Sequence, residues 1–107
     1  MTMVADGEKK TRDFTNIRDA VRANLLAASS DKVGHAEIIN IGTGKNYTIK
    51  ELADMFGGPI EVIPAKPGET VSTLADNTRA RELLGWSPEI SLAEGVKEVK
   101  KLHGLAP

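Results

Sequence analysis

Three charged residues in two short segments have the chemistry to bind a phosphate group and a ribose. Arg12 carries a planar guanidinium whose several N–H donors match the oxygens of a phosphate. Lys66 is followed by Pro67, which stiffens the loop, and by Gly68, which lets the backbone approach a ligand closely. Glu69 adds a carboxylate that can accept hydrogen bonds from a ribose diol. We therefore predict a phosphate clamp formed by Arg12 and Lys66, with Glu69 beside it.

Each of these residues also has an ordinary surface interpretation. Arg12 could pair with Asp13 or Glu8, as exposed arginines commonly do at small energetic gain. Lys66 could be a solvated loop charge, and Glu69 could simply face water. The sequence by itself leaves both interpretations open.

The chain contains no recognisable catalytic acid, base or nucleophile. Gly42-Thr43-Gly44 lacks the third glycine of a dinucleotide-binding loop and the Gly-Lys-Ser/Thr ending of a P-loop, so we predict a tight turn. Tyr47 and Lys50 are three positions apart, whereas the catalytic pair of dehydrogenases has the spacing Tyr-x-x-x-Lys. We therefore predict no catalytic residue and no cofactor-binding residue in this chain.

Length, charge and composition exclude several other classes. The 107 residues suit one small unit, residues 1–107, without a linker or repeat. With 14 Lys and Arg against 15 Asp and Glu, we expect no binding of nucleic acid or anionic membrane. Cysteine is absent, and His35 and His103 are isolated, so we expect no disulfide and no metal site. Neither a membrane span nor a signal peptide is evident, which favours a cytoplasmic protein.

The first half of the sequence predicts a hairpin, a helix and a strand. The Asp6-Gly7 turn lies between β-prone residues 2–5 and 11–15, a hairpin signal. An amphipathic helix capped by Asn16 follows and ends near residues 29–30. The short apolar run 36–41 predicts a buried strand. The predicted buried face of the helix consists of Ile17, Val21, Leu25 and Ala28.

Capping signals place three further helices and one strand in the second half. Thr48 with Glu51, and Ser91 with Glu94, have capping-box spacing. Residues 60–63 predict a strand, and a short helix capped at residues 76–77 follows. The predicted buried positions are Ile49, Leu52, Ala53 and Phe56 in the first of these helices, Leu83 and Leu84 in the short one, and Leu92, Val96, Val99 and Leu102 in the last.

Three further residues have predicted structural roles. We expect Trp86 to fill the core between the last two helices. We expect Asp19 and Asp76 to be buried caps that tie loops together, without a chemical role.

Five motifs in this order resemble the carboxyl-terminal part of the extended short-chain dehydrogenase family, the nucleotide-sugar epimerases and dehydratases of the UDP-glucose 4-epimerase type. The resemblance runs from residue 2 to about residue 104. The motifs are Asp6-Gly7-Glu8 with Thr11-Arg12-Asp13-Phe14-Thr15, then Asn40-Ile41-Gly42-Thr43-Gly44, then Lys66-Pro67-Gly68-Glu69, then Leu74-Ala75-Asp76, then Glu82-Leu83-Leu84-Gly85-Trp86-Ser87-Pro88.

The resemblance implies a role for each of the three charged residues. In the family, arginines at the positions of Arg12 and Lys66 contact the diphosphate of the sugar nucleotide, and an acid at the position of Glu69 binds the ribose. Lys66 keeps the charge of the usual arginine but loses its bidentate geometry, and Glu69 is one methylene longer than the commoner aspartate. Ile17-Arg18-Asp19 stands where the family often has Val-Asp-Asp.

The resemblance also implies the fold class and the function. We expect an α/β (α+β) unit, with a small hairpin and short strands packed on about four helices, lacking the Rossmann core of the family. It implies the part that binds the diphosphate of a nucleotide sugar, inactive alone, with NAD held by an amino-terminal domain absent here. A stand-alone or partner-completing binding module and a non-binding remnant are the alternatives.

A missing sheet would leave apolar surface exposed. In intact members of the family, the strand matching residues 36–41 joins the edge of the cofactor-domain sheet, and the helix that begins at Ile17 covers it. We therefore expect Ile38, Ile39 and Ile41 to form an exposed edge that favours a homodimer or a Rossmann-domain partner.

Overall fold

Four helical segments and two two-stranded sheets make up the computed structural model, which describes residues 2–65 and 67–105. This confirms the predicted mixed α/β (α+β) class. None of the helices in these ranges is long and apolar enough to cross a membrane. The helical segments are α1 (Ile17–Ser29), α2 (Ile49–Phe56), a π-helical turn (Ala80–Leu84) and α3 (Leu92–Leu102). The strands are β1 (Thr2–Val4), β2 (Thr11–Arg12), β3 (Tyr47–Thr48) and β4 (Glu61–Ile63).

The three α-helices begin at the predicted capping residues. Asn16 accepts a hydrogen bond from the Arg18 amide at 2.9 Å and caps α1. Thr48 and Glu51 form both bonds of a capping box at the start of α2, at 3.0 and 2.7 Å. Ser91 caps α3 by accepting a bond from the amide of residue 94 at 3.1 Å. The local sequence thus determines where each of these helices starts.

The predicted hairpin is wrong, because β1 and β2 pair in different sheets. β1 pairs in parallel with β4, with Met3 opposite Val62, and β2 pairs antiparallel with β3. The intervening turn closes through a 2.9 Å bond from the Gly7 amide to the Val4 carbonyl. A Cβ at Gly7 would lie 2.6 Å from the Met3 side chain. The turn therefore folds over the Met3 side chain instead of joining two adjacent strands.

Trp86 is the centre of the hydrophobic core. It is fully buried and packs with Ala23 of α1 and with Ala80 and Leu84 of the π-helical turn. Its indole N–H donates to the backbone carbonyl of Asp19 at 2.9 Å. The predicted core position is confirmed, and the π-helical turn is one of its two predicted helical partners, but the other partner is α1 instead of α3. The partly buried residues packed around this cluster are Leu26, Ala27, Val33, Ile39 and Ile41.

Asp19 is the buried loop tie that the sequence predicts. Its side chain is almost completely buried, and its carboxylate accepts the amides of Glu89 and Ile90, each at 3.1 Å. Asp76 differs, because its carboxylate is exposed and caps only Thr78, through that residue's amide at 3.0 Å and hydroxyl at 2.6 Å. The prediction for Asp76 as a buried tie is therefore wrong.

The predicted buried face of α1 is exposed in this structure. Ile17 is 76% exposed, Val21 49% and Leu25 66%, whereas Asp19 and Ala23 face the core. The core sets this orientation of α1, because the Trp86 ring packs against the small side chain of Ala23 and its indole N–H donates to the Asp19 carbonyl. The side of α1 that carries these two residues therefore faces the ring. An apolar stripe of three residues therefore faces outward.

Residues 36–41 do not form the predicted buried strand. Peptide groups 38–41 make no backbone–backbone hydrogen bond within the described ranges, and Ile38 is 79% exposed. Ile39 and Ile41 instead pack against the core, so the expectation that all three isoleucines are exposed is correct only for Ile38. A strand needs a paired neighbour, and no described segment provides one.

α2 and α3 bury only part of their predicted faces. Ala53 is fully buried, Val96 is buried and Leu92 is half-buried, as predicted. Val99 is 42% exposed and Leu102 82% exposed, contrary to the prediction. The described part of the chain thus leaves the apolar side of the last turn of α3 largely uncovered.

Asp13 joins three loops through its carboxylate. Oδ1 accepts the Thr43 amide at 3.0 Å and hydroxyl at 2.6 Å. Oδ2 accepts the amides of Gly44 at 3.0 Å and Ala75 at 3.2 Å. A Cβ at Gly42 would lie 2.3 Å from the Ala75 side chain, so the close approach requires glycine. The predicted tight turn at residues 42–44 is confirmed, and its amides bind an internal carboxylate.

We predict that Asp13→Asn lowers the free energy of unfolding by about 1–2 kcal/mol at pH 7, because the amide nitrogen of asparagine cannot accept these bonds. Burial raises the pKa of Asp13, but the hydrogen bonds from Thr43, Ala75 and Gly44 together lower it by more. The pKa of Asp13 therefore lies below its ordinary value. The stabilisation is thus fully present above the unfolded-state pKa, about 3.9, and is lost as the pH falls through the folded-state pKa.

Urea unfolding of wild type and variant across acidic and neutral pH measures this difference. The exposed Asp31→Asn is the matched control and is expected to change stability little. An Asp13→Asn variant as stable as wild type at pH 7 would show that the carboxylate does not hold the loops.

Candidate functional site

Arg12, at the end of β2, contacts the loop that follows Glu69. Its guanidinium donates to the carbonyls of Thr70 at 2.7 Å and Val71 at 3.3 Å, and to its neighbour Thr11 at 2.7 Å. Backbone bonds hold the two segments together as well. The Thr11 amide donates to the Val71 carbonyl at 2.9 Å, and the Thr11 carbonyl accepts a bond from the Thr73 amide at 3.1 Å. The structure thus brings Arg12 close to the segment that contains Glu69.

No carboxylate of residues 2–65 and 67–105 lies within 4.0 Å of the Arg12 guanidinium. The ordinary interpretation, a pair with Asp13 or Glu8, is not observed. Asp13 is committed to the loops described above. Arginine has five N–H donors, and the bonds to three carbonyls use at most three of them. The remaining donors belong to a half-buried cation without a carboxylate partner among the described residues, and they are available to an incoming anion.

Glu69 forms an ion pair with Lys10, a residue for which the sequence predicts no role. Lys10 is only 4% exposed, and its Nζ lies 2.6 Å from Glu69 Oε2 and 3.2 Å from Asp6 Oδ2. The bond from Glu69 raises the pKa of Lys10; burial lowers it by less, and Asp6 adds to the increase. One oxygen of Glu69 is therefore engaged. The sequence shows only a lysine near a turn, which is no signal of burial.

Lys66, the second predicted cation of the clamp, lies outside the described residues. Its loop continues through Gly68, which has a φ of 83°. Nothing lies within 4 Å of a Cβ built there, so a side chain at Gly68 would be disfavoured by its backbone conformation and not by crowding. Glycine is thus favoured here by its backbone conformation, while the predicted close approach of this backbone to a ligand stays a prediction.

The residues described do not fit NAD or a metal ion. The amides of Thr43 and Gly44, in the turn that most resembles a phosphate loop, already donate to Asp13. No group of three or more His, Cys, Asp or Glu side chains within the described ranges is arranged to hold a metal, and His35 and His103 are exposed. The polar groups left available among the described residues of the site are N–H donors of Arg12 and one carboxylate oxygen of Glu69.

Comparison with known sequences identifies related enzymes. A family model described as GDP-mannose 4,6 dehydratase matches residues 1–99. A putative UDP-glucose 4-epimerase of Methanocaldococcus jannaschii is 43% identical over 100 residues, covering 88% of this chain and 31% of the relative. A UDP-glucose 4-epimerase of Corynebacterium glutamicum is 36% identical over 84 residues, covering 73% of this chain and 26% of the relative. The chain thus spans 26% and 31% of the length of these relatives.

Solved structures share the fold. UDP-glucose 4-epimerase of Thermotoga maritima, determined with UDP-glucose, superposes with a TM-score of 0.79 at 33% identity. This match covers 96% of this chain and 35% of the Thermotoga maritima chain. UDP-glucuronic acid 4-epimerase of Bacillus cereus, determined with UDP-glucuronic acid and NAD, superposes with a TM-score of 0.83 at 32% identity. This match covers 94% of this chain and 35% of the Bacillus cereus chain.

The family match and the structural match both extend over nearly all of this chain, and the predicted resemblance is confirmed. Only about a third of each solved enzyme is matched, with coverage of 35% in both. The chain therefore belongs to the nucleotide-sugar epimerase and dehydratase family that the GDP-mannose 4,6 dehydratase model describes, and it corresponds to the carboxyl-terminal part of that family.

Proposed function

We propose that this chain is the substrate-binding portion of a UDP-glucose 4-epimerase-like enzyme. Arg12 and Lys66 bind the diphosphate of a nucleotide sugar, and Glu69 binds the ribose. The chain by itself is inactive as an epimerase, because its sequence contains neither the Tyr-x-x-x-Lys pair nor a dinucleotide-binding loop.

The observation that carries this proposal is the uncompensated charge of Arg12. A half-buried guanidinium without a carboxylate partner among the described residues is electrostatically suited to a bound anion. Its bonds to the carbonyls of Thr70 and Val71 fix its orientation, so little conformational entropy is lost when a ligand binds.

The ligand class in this proposal comes from the relatives. The Thermotoga maritima epimerase was determined with UDP-glucose, and the Bacillus cereus epimerase with UDP-glucuronic acid and NAD. We extend the UDP-sugar to this chain and assign NAD to the part of such enzymes that this chain does not match.

A second candidate function, completion of a separate cofactor-binding domain, is favoured by the exposed surface of α1. Ile17, Val21 and Leu25 form a continuous apolar stripe, and peptide groups 38–41 lack backbone partners in the described ranges. An exposed apolar helix face and a segment without backbone pairing are both features of a surface that another domain covers. We propose that a Rossmann-type domain covers this surface, with a homodimer as the competing outcome.

We predict that Arg12→Ala weakens the binding of UDP-glucose by about 10- to 100-fold, the loss expected for one hydrogen bond to a charged group. The measurement is a heteronuclear NMR titration of wild type and variant with UDP and UDP-glucose. In wild type, saturable shifts are expected at the amides of Arg12, Lys66, Gly68 and Glu69.

Arg18→Ala is the matched control for this titration. It removes the same charge from the surface of α1, where Arg18 pairs with Glu98, and it should leave the affinity unchanged. A folded wild-type protein that shows no shifts at millimolar ligand, or an Arg12→Ala variant that binds as well as wild type, would refute diphosphate binding by this chain.

We further predict that Val21→Lys prevents association with a separately produced Rossmann-type domain of a related epimerase, because it places a charge in the apolar stripe. Val21 is already half exposed, so the isolated chain should stay folded. Sedimentation of the mixture measures the association, and Asn24→Lys, at an exposed position of the same helix, is the control. A wild-type chain that remains a compact monomer in the mixture would exclude this partner; self-association sensitive to Val21→Lys would favour the homodimer.

A further inference from the structure

We infer that Lys10 is a positioning residue for Glu69: it holds one carboxylate oxygen so that the other is presented to the ribose hydroxyls. This inference rests on the proposed function, since it assigns a supporting residue to the same nucleotide site.

Lys10 is fixed at both its main chain and its side chain. Its amide donates to the Asp6 carbonyl at 3.1 Å, and its carbonyl accepts the Ile49 amide at 3.1 Å, at the start of α2. Its Nζ reaches Glu69 at 2.6 Å and Asp6 at 3.2 Å. Lys10 thus lies directly before β2 and is bonded to the first residue of α2, whereas Glu69 belongs to a loop.

A direct contact between Lys10 and the ligand does not fit this geometry. The side chain is 5% exposed, and removing an ammonium from water is favourable only when charged partners replace the water. Those partners are Asp6 and Glu69, so Lys10 would have to abandon both to reach a ligand. Its influence on the site therefore passes through Glu69.

The pair also solves an electrostatic problem of the proposed site. Glu69 directly precedes Thr70, whose carbonyl accepts a bond from the Arg12 guanidinium at 2.7 Å. An unpaired carboxylate so near a bound diphosphate would repel it. Lys10 neutralises Glu69 while leaving Oε1 without a protein donor among the described residues, free to accept a ribose hydroxyl.

The test compares the affinities for UDP and 2′-deoxy-UDP, measured by calorimetry. Wild type should prefer UDP by about 10-fold or more, as expected for a hydrogen bond to a charged acceptor. Lys10→Met should remove this preference, and Lys10→Arg, which retains the cation, should restore part of it. Lys9→Met, at the exposed neighbouring position, should behave like wild type.

The outcomes separate this inference from the proposed function. If Lys10→Met keeps the full preference for UDP, the inference is wrong, while a loss of UDP binding in Arg12→Ala would still support the diphosphate site. If wild type binds neither nucleotide, both fail. Should Lys10→Met not fold, Glu69→Gln replaces it, and retention of the preference in that variant would equally overturn the inference.

Discussion

The four hydrogen bonds accepted by Asp13 are the constraint on which the arrangement of the loops depends. This one carboxylate holds the turn at residues 42–44 and the segment at Ala75 against the end of β2. The amides in that turn would otherwise be exposed donors attractive to phosphate. Because Asp13 occupies them, the donors that we propose to bind an anion in this region are those of Arg12.

The alternation of side chains along residues 10–13, which contain β2, separates the contacts that tie the loops together from those at the proposed nucleotide site. Thr11 and Asp13 point toward residues 43–46 and 72–75, which they tie together. Lys10 and Arg12 point to the other side and contact residues 69–71. Successive residues of an extended segment face opposite sides, so residues 10–13 both support the loops and place Arg12 and the Lys10–Glu69 pair on the side of the proposed nucleotide site.

Features that depend on a few neighbouring residues could be predicted from the sequence. The caps at Asn16, Thr48 and Ser91 are local hydrogen bonds between residues two or three positions apart, and all three form. The core position of Trp86 followed from its size and apolar character.

Features that depend on distant segments of the chain could not be predicted from the sequence. The partners of β1 and β2 lie far along the chain, and a turn signal at residues 6–7 gives no information about them. The outward face of α1 is set by Trp86, so periodicity alone gave the wrong side. Lys10 was missed because its burial follows from two carboxylates that only the folded chain brings together.

A crystal structure of this protein with UDP-glucose would test whether Arg12 binds a nucleotide diphosphate. We expect diphosphate oxygens within hydrogen-bond distance of the Arg12 guanidinium and the ribose beside Glu69. A ligand bound elsewhere on the protein, with Arg12 still in contact only with the carbonyls of Thr11, Thr70 and Val71, would show that Arg12 does not bind the diphosphate.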